Sequence, residues 1–550
     1  METIPNIASY KDRVPERPSL LGFTTGDGKD AWWEGQQETI GRVLEGLKQA
    51  DVVVMSAPPG SGKTLMGAAV SRLYAPSITC THTIALQQQY QRTAPWASTN
   101  MGKSNFECGH KERLSKYPQL AQFEDSFTVE QCDDYLDCID PWRYGCEYFR
   151  NIGDAADNDL VVLNYAYALR IVQTKYMKRG VCVDEDHEAQ PNPFRRQLAI
   201  LDECHLADQA IVAASALEFW HGTLKKVGIP RPLDTATVSD WQQWTIGALN
   251  LLSKYDDDDE FDLVMRARRR ALVERLGVLQ KIRAEDWIIR REDSVTRIQP
   301  LWSRSVYGRF LAYYPKIILM SATPGDPNLL VERLGLEDRS ARYISVPSTF
   351  PVSNRPTFYW PVVKLSARSE EDDYDRLASA VQYIADQPRI AALKGIIHTP
   401  SYKLVTKLRQ HLTKDGNETI YIFHEEAAHK SSCVKLFEEA DYPLILVTPS
   451  LSTGFDLPYQ IGFQIIAKVP FADLGDPIVK ARREYQLGAD TKFGQRCYQD
   501  DALNQVVQAV GRAVRAPDDS GVSYILDENF WPLFKRSFSP DHFKETILWL

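Results

Sequence analysis

The stretch Ser56-Ala57-Pro58-Pro59-Gly60-Ser61-Gly62-Lys63-Thr64 decides how the rest of the chain is read. Ahead of it, Asp51-Val52-Val53-Val54-Met55 is a β-branched run of the kind that forms a buried parallel strand. Behind it, Leu65 to Val70 reads as the start of a helix. Strand, Gly-rich turn and a helix opening on Gly-Lys-Thr make a P-loop arrangement. Triphosphate oxygens are met there by unpaired backbone N–H groups at a helix N-terminus, where the dipole favours anions. Gly60 and Gly62 keep Cβ atoms out of that approach. In this frame Ala57, Pro58, Pro59, Gly60, Ser61 and Gly62 form the cradle. Lys63 reaches the β- and γ-phosphates, and the Thr64 hydroxyl sits on Mg²⁺. Ala57 stands where the usual pattern has its first Gly; that position only starts the turn, so a small residue serves.

Working outward, 550 residues suggest about three or four domains. A hydrophobic fraction of 44% with 25% charged residues supplies a sizeable core. The net charge of −9 argues against coating nucleic acid by bulk charge, but it leaves room for a locally basic groove. No apolar run approaches the roughly 18 residues of a membrane span, and Met1 to Leu20 lacks the apolar core of a signal peptide. The expectation is a cytoplasmic protein in a reducing compartment. Its nine cysteines then read as ligands or core thiols rather than disulfides.

Upstream of the P-loop, Ile40, Val43, Leu44 and Leu47 recur at helical spacing. Gln36 or Gln37, at the head of that helix, could read an adenine edge or be a solvated glutamine. Downstream, Thr79-Cys80-Thr81-His82-Thr83 is a threonine-rich strand leading into a helix with Gln87, Gln88 and Gln89. Hydroxyls and amides at a strand's C-terminal end suit phosphate–sugar contacts. Asp159 to Tyr165 and Leu198-Ala199-Ile200-Leu201-Asp202-Glu203-Cys204-His205 are further apolar strands with polar tips. Open parallel sheets bind ligands at such tips. Asp202 can share the Mg²⁺ of Thr64, and Glu203 can orient the attacking water.

Between these strands, Cys108, Cys132, Cys138 and Cys146 are spaced C-x₂₃-C-x₅-C-x₇-C. Zinc ribbons usually carry C-x₂₋₄-C pairs, whereas widely spaced thiolates fit a [4Fe–4S] cluster at least as well. Residues 208–285 read as mostly helical, with Leu272, Leu276 and Leu279 on one face. Arg266, Arg268, Arg269 and Arg270 form either a solvated basic face or a phosphate contact. A strand pair is expected between Trp287 and Ile298. Strands return at Ile317 to Thr323, at Gly395 to Ser401 and at Leu444 to Thr448. Gln508, Arg512 and Arg515, at i, i+4 and i+7, share a face of one expected helix. The arginines there can act as fingers on a γ-phosphate across a cleft, or form an exposed basic face.

In this order the pieces resemble the DEAH-box helicases of superfamily two, in the XPD/DinG branch, from about Gln36 to Asp527. The resemblance rests on Ala57 to Thr64 as motif I, Thr81 to Gln89 as Ia and Asp202-Glu203-Cys204-His205 as II. Ser321-Ala322-Thr323 matches motif III, Thr399-Pro400-Ser401 motif IV, and Ser452-Thr453-Gly454-Phe455-Asp456 motif V. Gln508 to Arg515 matches motif VI. Asn164-Tyr165, Pro470-Phe471 and Asp476-Pro477 also look like that branch, and the four cysteines point to its iron–sulfur members. Cys204 stands where many DEAH proteins carry Ala.

The resemblance implies an α/β fold of two RecA-like P-loop domains with iron–sulfur and helical Arch insertions in the first. Residues 1–20 would be an extension. Residues 21–105, 150–207 and 286–335 would form the first domain, 106–149 the cluster domain, 208–285 the Arch and 336–550 the second domain. ATP would bind between the two, contacted by Gln36 and the P-loop and also by Gly454 and Asp456. Lys63, Asp202, Glu203, Gln508, Arg512 and Arg515 would carry hydrolysis. Cys108, Cys132, Cys138 and Cys146 would hold a [4Fe–4S] cluster, and Thr64 and Asp202 the Mg²⁺. Single-stranded and forked DNA would lie against Thr81, Thr83, Asn164, Tyr165, Thr399, Ser401 and Ser452. The expected activity is 5′→3′ translocation and unwinding by a monomer of prokaryotic or phage origin, with no exonuclease domain ahead of motif I. A protein-stripping or R-loop-removing translocase and an ATP-gated DNA clamp are the competing expectations.

Overall fold

The computed structural model describes residues 14–23, 30–108, 128, 146–173, 176–178, 181–183, 190–254, 263–366, 368–413, 420–449, 461–514, 516 and 518–550. Among these, twenty strands are numbered β1 to β20 in chain order.

Seven of them form one sheet in the order β13 (Ala341–Ser345), β1 (Val52–Ser56), β12 (Lys316–Ser321), β8 (Leu198–Asp202), β2 (Ser77–Thr81), β4 (Leu160–Asn164) and β3 (Ser98–Thr99). Every pairing in it is parallel. Its strands are buried on both faces, which is why they read as continuous apolar runs. Val52 and Val54 point into one core with Ile78, Leu163, Leu201 and Leu319. Val53 and Met55 point into another with Ile40, Val43, Leu47 and Ile200. The alternation is the period of two that a strand imposes.

The second sheet runs β16 (Tyr421–Phe423), β17 (Ile445–Thr448), β15 (Gly395–His398), β18 (Phe463–Ile466), β19 (Val522–Asp527), β14 (Thr357–Val363) and β20 (Ile547–Trp549). It too is parallel throughout. The helix Phe493–Val510 packs Leu503, Val506 and Val507 on it, against Ile466 and Ile525.

Two features depart from the sequence-based division. First, β13 pairs with β1, so the first sheet extends to Ser345 rather than closing at residue 335. Its exposed residues Ala341 to Tyr343 gave no apolar run to signal an edge strand. Second, β10 (Trp287–Arg291) and β11 (Val295–Pro300), the expected strand pair, join β9 (Leu217–Trp220) in an antiparallel sheet. They therefore belong with the intervening segment rather than with the first parallel sheet. Its helices are Ala207–Ala214, His221–Lys226, Val238–Leu252 and Leu263–Leu279. Leu272, Leu276 and Leu279 are buried as expected. Arg266, Arg268 and Arg269 are half-buried rather than fully solvated. A small antiparallel sheet, β5 (Tyr176–Lys178), β6 (Val181–Val183) and β7 (Gln190–Pro191), lies between β4 and β8 in the chain.

Candidate functional site

Parallel strands deliver their C-terminal ends to one edge of a sheet, and the polar tips gather there. Ser56 pairs in register with Ser321, Met320 with Asp202, and Thr81 with Asn164. The P-loop leaves β1 and opens the helix Lys63–Tyr74. Gly60 and Gly62 both hold φ of 75°, in the left-handed region. At Gly62 a Cβ would lie 2.3 Å from the Gln36 amide nitrogen, so glycine is required by space as well as by conformation. Gln36 is buried and donates from Nε2 to the Ser61 carbonyl at 3.0 Å, while its Oε1 accepts from the Trp33 N–H at 2.9 Å. Its amide nitrogen thus braces the P-loop, and its oxygen holds the Trp33 N–H at the entry to the helix. Lys63 Nζ lies 3.4 Å from the Ala57 carbonyl, across the mouth of the loop. The Gln89 amide donates to the Thr64 hydroxyl at 3.4 Å.

At the tip of β8, Asp202 is buried. Its carboxylate accepts from the Tyr90 hydroxyl at 3.1 Å and from the Glu203 N–H at 2.9 Å. Burial, then the neighbouring Glu203 charge, push its pKa up. Glu203 adopts φ 49°, the single positive φ at a non-glycine among the described residues. Such a conformation costs roughly 1–3 kcal/mol and clusters at functional sites. It aims the Glu203 carboxylate at Ser321, whose hydroxyl donates to Oε2 at 3.3 Å. Ser321 Oγ is also 2.8 Å from His205 Nδ1 and accepts from the Thr323 N–H at 3.0 Å. One hydroxyl proton and two lone pairs are all used when His205 carries its proton on Nδ1. Burial holds the His205 pKa down, favouring the neutral ring.

The network then crosses to the second domain. Gln508 Nε2 donates to the Thr323 hydroxyl at 3.0 Å. Gln508, Gly511 and Arg512 line one wall of a cavity of about 1210 Å³, and Lys63, Glu203 and His205 line the other. The helix carrying Gln508 ends at Val510, and Gly511 caps it with its N–H on the Val507 carbonyl. Arg512 therefore projects from the turn after the helix instead of from its face; glycine is a poor helix former and stops it there. Arg515 lies outside the described residues.

A helicase C-terminal domain model matches residues 388–541, and a model of the type III restriction enzyme res subunit matches residues 30–239. The ATP-dependent DNA helicase DinG of Photobacterium profundum is 26% identical over 241 residues, 42% of this chain and 32% of that protein. Among solved structures, an XPD helicase aligns over 94% of this chain and 99% of its own, with a TM-score of 0.56 and 15% identity. The S. tokodaii Xpd4 structure covers 94% of this chain and 100% of its own, with a TM-score of 0.55 and 14% identity. The chain is similar to DinG helicases in sequence and to XPD structures in fold. Its match spans about a third of the curated DinG relative's length. The two parallel α/β domains are those of the XPD-like, RecA-like fold.

Within this fold the residues expected at DNA are distributed differently from the sequence reading. Thr81 is buried and donates its hydroxyl to the Thr83 carbonyl at 3.2 Å. Tyr165 is buried with its hydroxyl on the Asp202 carbonyl at 3.0 Å, so it braces the acidic tip instead of facing a nucleic acid. Asn164 caps the helix Tyr165–Ile171, accepting from the Tyr167 N–H at 2.8 Å. Thr399 is buried with its hydroxyl on the Ser401 carbonyl. Thr83 and Ser401 are exposed and each caps a helix; Thr83 also lines the cavity. Ser452, Gly454 and Asp456 lie outside the described residues, as do Cys132 and Cys138. Cys108 and Cys146 bracket residues 109–145, and the rings of Phe106 and Tyr148 meet at 5.6 Å just outside them. The chain thus enters and leaves that segment side by side.

The sequence reading gave no role to Tyr90, His205, Ser321 or Thr323. Three of these sit inside quoted motifs, so their motif membership was the available signal. Tyr90 is one residue beyond the glutamines of the threonine-rich strand's helix and carried none.

Proposed function

We propose that this chain is an ATP-dependent DNA helicase that moves 5′→3′ on single-stranded DNA. The observation that carries this reading is the convergence of Lys63, Glu203 and Arg512, from two parallel α/β domains, on one cavity. Lys63 clamps phosphate oxygens. Glu203, fixed by the Ser321 and His205 contacts, orients and polarises the attacking water. Arg512 meets the γ-phosphate from the opposite wall, and the Gln508–Thr323 contact reports its approach to the first domain. Thr64 and Asp202 supply the hydroxyl and carboxylate chemistry that suits a hard divalent cation; Mg²⁺ bound there would supply charge neutralisation for the phosphates. Similarity to the DinG helicase supports DNA as the track.

In the same reading residues 106–149 hold a [4Fe–4S] cluster, and 208–285 together with the strands β10 and β11 form the Arch, both beside the single strand. Phe106 against Tyr148 fits this, since a closed stem brings Cys108 and Cys146 to one end of the segment. A segment with few aliphatic side chains needs such cross-links to hold a shape. Thr83 and Ser401 remain candidates for backbone contacts to DNA.

The test is ATP turnover and strand separation measured on one preparation with 5′-tailed, 3′-tailed and blunt duplexes. DNA-stimulated turnover with separation of the 5′-tailed substrate is expected. Stimulated turnover with protein displacement but no strand separation would replace the helicase by a translocase. Turnover indifferent to DNA would remove DNA as the track.

A further inference from the structure

Tyr90 is fully buried, in the helix Ile84–Thr93. Its neighbours in the core are apolar, among them Met66, Val162, Ile200 and Met320. A phenylalanine would fill that space without bringing a polar group into it. The hydroxyl, once buried, must have a partner. It donates to Asp202 Oδ2 at 3.1 Å. Room for it is made on the helix that the P-loop opens. Gly67 lies inside the helix Lys63–Tyr74, one turn after Lys63. A Cβ there would stand 3.2 Å from the Tyr90 hydroxyl oxygen and 3.1 Å from the terminal carbon of Met320. Glycine is a poor residue for a helix interior, and this close approach gives it a reason to be there. Met320 in turn pairs in register with Asp202. The hydroxyl therefore sits where the P-loop helix and the strands β8 and β12 come together.

The Asp202 carboxylate is held at both oxygens. Oδ1 accepts from the Glu203 N–H at 2.9 Å, and Oδ2 accepts from Tyr90. The first donor belongs to the next residue in the chain and alone would leave a single anchor about which the group can turn. Tyr90 is a second anchor, and it comes from a different element. An ionised carboxylate has about four lone-pair sites, so two donors leave acceptor capacity for a cation. A carboxylate fixed at two points meets that cation without first losing rotational freedom. Hydrogen-bond partners behind metal ligands typically contribute about 10–100-fold in metal affinity. The residue before Tyr90 adds to the pattern, since Gln89 donates to the Thr64 hydroxyl at 3.4 Å. One helix thus touches both groups expected at the cation.

We propose that Tyr90 is a positioning residue of the cation site, its hydroxyl holding the Asp202 carboxylate in the orientation that receives Mg²⁺. The proposal rests on the reading of Thr64 and Asp202 as Mg²⁺ ligands and adds to it what fixes one of them.

The experiment is equilibrium binding of the non-hydrolysable ATP analogue AMP-PNP to the full chain, in saturating Mg²⁺ and in EDTA, for the parent, Tyr90→Phe and Val162→Ala. Tyr90→Phe removes the hydroxyl and keeps the ring. Val162→Ala loosens the same core and keeps the hydroxyl. The parent should bind the analogue more tightly with Mg²⁺ than in EDTA. Tyr90→Phe should shrink that Mg²⁺ advantage by about tenfold and leave the affinity in EDTA within about twofold of the parent's. Val162→Ala should keep the parent's advantage. An unchanged advantage in Tyr90→Phe, an equal loss of affinity with and without Mg²⁺, or the same shrinkage in Val162→Ala would overturn the positioning role. A parent that binds equally well with and without Mg²⁺ would overturn the cation site while leaving the nucleotide site standing. A parent that binds the analogue in neither condition would overturn the ATP reading itself.

Discussion

The helix Phe493–Val510 meets the first domain at both ends, and the two meetings differ in kind. Near its start the contact is buried. The buried Asp500 carboxylate accepts from the Asp326 N–H at 2.9 Å and from Arg333 at 3.2 Å. Arg333, also buried, donates to the Cys497 carbonyl at 2.9 Å and pairs with Asp501. Leu301, Trp302 and Leu329 of the first domain pack on Phe493 and Cys497 of the second. The Arg482 guanidinium stands 3.8 Å over the Trp302 ring and pairs with Asp208. At its other end the helix faces the cavity, with the Gln508–Thr323 bond reaching across. Burial makes the first contact expensive to break, because the Asp500 and Arg333 charges would be left unpaired. The second leaves room for a ligand to complete it. One interface thus contains a part suited to hold and a part suited to change occupant.

The largest effect should come from the cavity end. Arg512→Ala is expected to lower ATP turnover by about 10³-fold or more, as loss of an arginine finger does, while ATP affinity changes little. Turnover near the parent value would make this end structural only. The buried end should show itself in stability instead. Arg333→Met leaves Asp500 buried and without its cation, which costs about 3–5 kcal/mol when a buried pair is broken. A marked fall in the thermal unfolding midpoint is expected, and a shift of a degree or less would mean the pair does not hold the domains.

The smallest effect sharpens the same point through pH. Burial pushes the Asp500 pKa up to about 7, with Arg333 opposing. An unfolded aspartate titrates near 3.9, so between about pH 4 and 7 the folded state binds the extra proton. Stability from this group is present below that window and lost as pH rises through it. Asp500→Asn should flatten the stability–pH profile there in part; Asp202, also pushed up by burial, keeps some slope. Superimposable profiles for parent and variant would contradict the burial argument.

Much of this was legible because chemistry and periodicity coincide at strand ends. Val52 to Ser56, Leu198 to Asp202 and Lys316 to Ser321 are apolar runs closing on polar tips, and each became a central parallel strand. What stayed hidden depends on burial, which is a property of the fold. Tyr165 and Thr81 carry groups that suit DNA equally well, but neighbouring strands enclose them and direct their hydroxyls to backbone carbonyls. The contact of Gln36 with the Ser61 carbonyl exists only once the helix Gln36–Gln49 docks beside the P-loop. The edge strand β13 has too little apolar surface to announce itself. Tyr90 belongs to no motif, and its hydroxyl meets Asp202 only once the helix Ile84–Thr93 packs into the core. The buried contact was equally silent, since Arg333, Asp500 and Arg482 are ordinary surface residue types until two domains meet.

The central claim is that Glu203, held in its left-handed conformation against Ser321 and His205, activates the water that cleaves ATP in the interdomain cleft. It is tested most directly by Glu203→Gln, with ATP binding and ATP turnover measured on one preparation in saturating single-stranded DNA. The amide keeps the shape and loses the base, so ATP affinity within a few-fold of the parent with turnover reduced at least 10²-fold is expected. Turnover at the parent rate with binding intact would contradict the account.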